Sequence, residues 1–202
     1  WNIRGESAYY LDGQVFTAAT AVQWLVDNDL LASAEAIDSL PDARGVMAAP
    51  GFAGYGAPLW KPHATASIAG LTLSHGKGEI ARAMVDGIAA QVADLLGAIA
   101  ADGVAVNELR VDGGLTQSHT LMQMQADLAQ VSIEVYPHPD ATAMGVANLA
   151  AMATNSALNL GDFASAWKPS ERYSPKWSAD RAQSYLTKWR TLPANAMESA
   201  HE

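Results

Sequence analysis

The chain has 202 residues, half of them hydrophobic, with 12 Lys and Arg against 21 Asp and Glu and a formal net charge of -9. A nucleic-acid binder draws its affinity from a basic face that neutralises phosphates. This balance argues against nucleic acid and against an anionic membrane surface as partners. Cysteine is absent, so disulfide frameworks and thiolate metal sites are excluded, and a cytoplasmic protein fits best. No uninterrupted apolar run reaches the length of a membrane span.

The opening "WNIRGESAYY" lacks the basic start and apolar core of a signal peptide. It also lacks an initiator Met, and the expectation is a chain that begins inside a longer gene product. Residues 7–16, "SAYYLDGQVF", place apolar residues around Asp12-Gly13, a hairpin dipeptide. From Thr17, a residue able to cap a helix, Ala18, Ala21, Val22 and Leu25 recur at helical spacing. Residues 33–42 add a short helix that ends before Pro41.

Residues 45–75 are too rich in Gly and Pro for a long helix. They read as a strand at 45–49, an ordered loop and a second strand near 66–72. A long helix follows, with Ile80, Met84, Ile88, Val92, Leu95 and Ile99 on one stripe, Glu79 near its start and Gly103 after its end. Then come a strand at 108–112, a helix at 118–130, a strand at 132–136 and an Ala-rich helix at 141–154. A last helix at 178–190 carries Tyr185 and Trp189 just after Trp177. The alternation predicts one α/β domain over residues 1–202, its sheet mixed but mostly parallel, with helices on both faces and an antiparallel edge from the early hairpin.

"LRVDGGLTQSHTLMQMQ" raises the chemical question, because two glycines stand where a strand hands over to a helix. Backbone N–H groups at a helix start lack internal partners, and glycine lets an anion or a flat ring approach the main chain. Gly113 and Gly114 therefore suit a nucleotide, with Ser118 able to cap the next helix or to reach a ligand. Taken alone, Gly-Gly after a strand is more often plain turn chemistry, and this is neither a Walker loop nor GxGxxG.

Four segments in order change that balance: "LDGQVFTAATAVQWL", "APGFAGYGAPLWKP", "LRVDGGLTQSHTLMQMQADLAQVSIEVYP" and "DATAMGVANLAA". Together, from about residue 7 to about residue 190, they resemble the C-terminal domain of the FGGY carbohydrate kinases, and within that family the glycerol kinases. The resemblance implies an actin-like ATPase, ribonuclease-H-like α/β fold that holds the ATP half of a cleft. It implies ATP as cofactor, with Mg carried by the ATP, and transfer of the γ-phosphoryl to a hydroxyl of glycerol or a related sugar. The acceptor and the catalytic aspartate belong to an N-terminal domain upstream of this sequence. The resemblance therefore implies a chain that is inactive alone and has no catalytic residue of its own.

The resemblance also carries site residues. Gly113 and Gly114 lie beside the nucleotide. Ser118 stands where the family has an adenine-side asparagine. The family's Gly-x-x-x-Gln helix reads Ala19 to Gln23 here, with glutamine retained and alanine in place of glycine. The family loop close to GLGAPYWDPxARG reads "GYGAPLWKPHATA", so Lys61 and Thr65 replace its Asp and Arg. Asp112 reads as a turn former that could otherwise meet a metal-bound water.

Other patterns have plainer explanations. The histidines His63, His75, His119, His138 and His201 lack ligand spacing. "PHPD" at 137–140 reads as a strand exit. Asp127 and Glu134 read as surface acids rather than a catalytic pair. Trp60 reads as packing or as a cleft edge. A non-catalytic module that keeps the kinase fold is the alternative function. A dinucleotide oxidoreductase is disfavoured, since no GxGxxG follows the first strand.

Overall fold

A computed structural model describes residues 2–7, 9–138, 140–165 and 168–196; His201 lies outside them. Its centre is α2 (Lys77–Ala101), 25 residues, most of them small or apolar. Glu79 starts it by accepting the Gly76 N–H at 3.0 Å. The single stripe predicted for this helix proves too narrow. Almost every residue from Ala81 to Asp94 is buried, Ala83, Ala89 and Ala90 among them, because neighbours press on it from several sides. α2 is apolar and long enough to cross a membrane by composition, but 61% of the relevant window is buried, as in a core helix.

One neighbour is β3 (Met47–Ala49), paired antiparallel with β4 (Ser67–Ala69). A Cβ at Gly87 would collide with the Ala48 carbonyl, so glycine sets the approach of helix to strand. Another neighbour is α3 (His119–Ala129), which buries Leu121, Met122, Gln125 and Leu128. α3 is the crossover between β5 (Glu108–Val111) and β6 (Ser132–Val135), which pair in parallel. β7 (Glu171–Tyr173) adds antiparallel to β6. α6 (Ala179–Trp189) closes the core with Trp189, only 1% exposed, whose indole N–H donates to the Ala48 carbonyl at 2.8 Å.

Several expectations need correction. The predicted mostly parallel sheet is three short sheets among the described residues, and β5–β6 is their one parallel pairing. The early hairpin is β1 (Asn2–Ile3) with β2 (Glu6–Ser7), turning at Arg4-Gly5 rather than Asp12-Gly13. Gly13 lies where a Cβ would strike the Leu95 side chain, so this segment, which has no regular secondary structure, passes close against α2 there. α1 (Ala19–Asp27) has Ala18 at its N-cap with no side-chain cap. The Thr17 hydroxyl donates instead to the Pro50 carbonyl, so it anchors the loop, not the helix.

Residues 33–42 form a 3-10 segment, Ala34–Ser39. α4 (Ala141–Thr154) forms where predicted but stands out from the body, with Met152 its one buried residue. α5 (Leu160–Ser165), β7 and the short α7 (Thr191–Ala194) were not legible in the residue pattern.

Candidate nucleotide site

The parallel ladder runs one step past β5, where the Tyr136 N–H donates to the Val111 carbonyl at 2.8 Å. The chain then leaves the sheet through exposed Asp112. No hydrogen bond ties the Asp112 side chain to the turn among the described residues, so the turn-forming role read for it is not what holds the bend. Gly113 does the turning, at φ +97°, a backbone state that side-chain-bearing residues rarely adopt. Its carbonyl accepts from the Thr116 N–H at 3.1 Å and the Thr116 hydroxyl at 2.7 Å, which closes a 3-10 turn, Gly114–Gln117. A Cβ at Gly113 or at Gly114 would meet no atom within 4 Å. The glycines thus face open space, and nothing in the fold needs that room for packing.

The glycines do not open the helix directly, since the 3-10 turn intervenes. α3 starts at Ser118, whose Oγ accepts the Leu121 N–H at 3.2 Å and donates to Asp38 Oδ1 at 2.9 Å. Of the two roles read for Ser118, capping is the one in place. The Asp38 carboxylate also accepts the His119 N–H at 3.1 Å and the Thr120 N–H at 2.8 Å. A carboxylate from the 3-10 segment therefore already occupies the positive end of α3. Burial works against its charge, but the Thr120 amide and the Ser118 hydroxyl, with help from Thr120 Oγ and the His119 amide, hold Asp38 below the usual carboxylate value.

Two depressions flank the glycine turn. The smaller, about 130 Å³, lies between Ala34, Glu35 and Ile37 on one wall and Gly114, Leu115 and Ser118 on the other. The larger, about 480 Å³, extends from Gly113 and Gly114 past Thr116 and His119 to Tyr136, His138 and Glu171. Gly114 borders both. At the rim, His119 Nδ1 lies 2.6 Å from the Tyr173 hydroxyl, which also bonds Glu171. Burial, then the bond to Glu171 and its negative charge, raise the Tyr173 hydroxyl pKa above its ordinary value.

The structure thus brings Gly113, Gly114 and Ser118 together and leaves Ala19 and Gln23 outside both depressions. They are exposed on α1, where the Gln23 amide donates to Asp27 at 2.7 Å. Residue reading missed Asp38, because its partners are some 80 positions away and no local pattern marks it. In the Gly/Pro loop, Lys61 donates to the Ala194 carbonyl at 2.5 Å and so ties the loop to α7. Trp60 is 72% exposed, so it does not pack into the core of this chain.

A strand–crossover–strand unit that opens on bare main chain beside two grooves, within helices packed around short sheets, is an α/β arrangement with its ligand crevice at the carboxyl end of a strand. The comparisons carry this further. Residues 2–154 match the family model described as "FGGY family of carbohydrate kinases, C-terminal domain", and the chain belongs to that family.

Among similar proteins, glycerol kinase of Aromatoleum aromaticum is 38% identical over 196 residues, covering 94% of this chain and 40% of that protein. Glycerol kinase of Bordetella parapertussis is 40% identical over 190 residues, covering 91% of this chain and 37% of that protein. The chain therefore spans about two fifths of the length of these relatives. Among solved structures, Plasmodium falciparum glycerol kinase with ADP superposes with a TM-score of 0.80 at 27% identity, covering 90% of this chain and 37% of that one. A ligand-bound xylulose kinase from Lactobacillus acidophilus, at TM-score 0.72 and 22% identity over 89% of this chain and 38% of that one, shares the fold.

Proposed function

We propose that this chain is the nucleotide-binding domain of an ATP-dependent carbohydrate kinase, which transfers the γ-phosphoryl to a hydroxyl of glycerol or a related polyol. The observation that carries this reading is the uncovered main chain of Gly113 and Gly114, open on two grooves in a member of a carbohydrate-kinase family. The base lies along the smaller groove beside Gly114, and the phosphates run over Gly113. Asp38 reserves the α3 N-terminus, so the phosphates rest on the glycine turn and not on that helix end. Ala19 and Gln23 belong to the nucleotide's surroundings on the family resemblance. Magnesium arrives with the phosphates, and exposed Asp112 next to Gly113 suits a metal-bound water.

The acceptor and the base that takes its proton sit on a companion domain, and closure of the two halves excludes water from the reacting phosphate. Exposed apolar groups support a companion: Tyr9 is 95% and Val146 on α4 is 63% exposed. The site of action is the cytoplasm.

A second reading, a nucleotide-binding module without catalysis, draws support from Ser118, whose hydroxyl is used both as donor and as acceptor inside the protein.

Gly114→Val discriminates. The new side chain meets no protein atom at Cβ and leaves the fold intact, but it stands where the nucleotide lies. In the kinase that carries this domain, KM for ATP should rise at least about tenfold while KM for the polyol stays within about twofold. Equal increases would contradict the assignment. The chain alone should show no sugar phosphorylation in a coupled assay, and turnover would refute the division of labour.

A further inference from the structure

The smaller groove at the glycine turn, where the base lies, carries four polar side chains, those of Glu35, Asp38, Gln117 and Ser118. Ile37 and Leu115 add apolar surface for a flat ring. Asp38 and Ser118 are already engaged within the protein. The Ser118 hydroxyl gives its proton to Asp38 and accepts the Leu121 N–H. Both oxygens of Asp38 are taken, one by that hydroxyl and the Thr120 amide, the other by the His119 amide. Ser118, at the position of the family's adenine-side asparagine, therefore has no proton left for a base.

Glu35 and Gln117 are left to meet a ligand. Gln117 is exposed, and its side chain makes no hydrogen bond among the described residues. A carboxamide carries both a donor and an acceptor, so it turns to suit whichever base is present. An ionised carboxylate only accepts. The Ser33 hydroxyl, then Glu35's own backbone amide, hold the Glu35 carboxyl below its usual value, so it is ionised at neutral pH. The 3-10 segment Ala34–Ser39 presents Glu35 on the wall opposite Gly114.

A carboxylate has two oxygens side by side, and its best partner is a pair of adjacent N–H donors. Guanine carries that pair, at N1 and at the 2-amino group, with O6 beside it as an acceptor. Adenine offers one amino group next to the bare lone pair of N1, which a carboxylate repels. We infer that this domain takes guanine nucleotides besides adenine ones, and that Glu35 is the residue that reads guanine. N1–H and the 2-amino group donate to the two Glu35 oxygens, and the Gln117 amide N–H donates to O6. The inference rests on the nucleotide reading of the glycine turn and adds the class of base admitted there. In the kinase that carries this domain, GTP then serves as a γ-phosphoryl donor beside ATP.

The test is a titration of the full chain with ATP, GTP and inosine triphosphate, followed at the Gly113 and Gly114 amide resonances. Inosine triphosphate is GTP without the 2-amino group, so the pair isolates one hydrogen bond to the carboxylate. Kd for GTP should lie no more than about threefold above that for ATP, and inosine triphosphate should bind at least about threefold more weakly than GTP. Glu35→Gln takes a negative charge from the site and shifts every triphosphate alike, so the ratio of GTP to ATP affinity is the quantity read. That ratio should fall about three- to tenfold, because the amide meets one of the two guanine donors with a donor of its own.

GTP weaker than that limit, inosine triphosphate that matches GTP, or a ratio unmoved by Glu35→Gln overturns the inference, while ATP shifts at the turn still support the nucleotide reading. No shift at Gly113 or Gly114 with any of the three triphosphates overturns both.

Discussion

At the residue scale, the two glycines of one dipeptide do different jobs. Gly113 is required by its backbone, since φ is +97° and any side chain there is strained whatever the space around it. Gly114 has no such demand: a Cβ there would meet no atom within 4 Å, and nothing inside the protein calls for glycine at that position. The sequence made the pair visible but could not separate the roles, because φ is set by the turn that Thr116 closes.

Asp38 shows the converse. It caps a helix that starts about 80 residues later, and no spacing rule reaches that far. Asp38→Ala should cost about 1–2 kcal/mol in urea unfolding, the usual loss of a helix cap. The sign with pH follows. The folded carboxyl titrates below its unfolded value, so its contribution is complete above the unfolded pKa and is lost as pH falls through the folded one. The variant should therefore have a shallower acid limb than the parent.

At the element scale, α2 was legible in place and length, whereas its burial was not. A six-residue stripe predicts one covered face; alanines and Gly87 let β3 and α3 approach from different sides, and periodicity is blind to residues small enough to fit anywhere. The same approach buries Asp86. Burial, opposed by the charge and hydrogen bond of Arg82, lifts its carboxyl to about 6. Here the native state holds the proton more tightly than the unfolded one, so stability falls as pH rises from about 4 to 6. Asp86→Asn should remove that fall, and the variant's stability should climb relative to the parent by on the order of 2–3 kcal/mol across this window.

α6 was likewise found from its pattern, but not the reach of Trp189 across the core to Ala48. Trp189→Ala should cost about 3–5 kcal/mol, from the cavity and the orphaned carbonyl together.

At the scale of the whole molecule, the class of fold was legible because βαβ alternation is written in residue type. The sheet arrangement was not, since strands of two to four residues leave too little pattern to register. α4 makes the point: its span was read from composition, but composition cannot say that it projects from the body with Val146 exposed. Val146→Lys should lower binding of an apolar dye and leave the melting midpoint almost unchanged, because that side chain packs little here.

The proposed function stands or falls with the glycine turn as the resting place of a nucleotide. Amide resonances of the full chain titrated with ATP test this most directly. The largest shifts should fall on Gly113, Gly114 and Thr116, with smaller ones at Tyr136, and Gly114→Val should abolish them. Shifts centred away from the turn, or shifts at the turn that survive Gly114→Val, would contradict it.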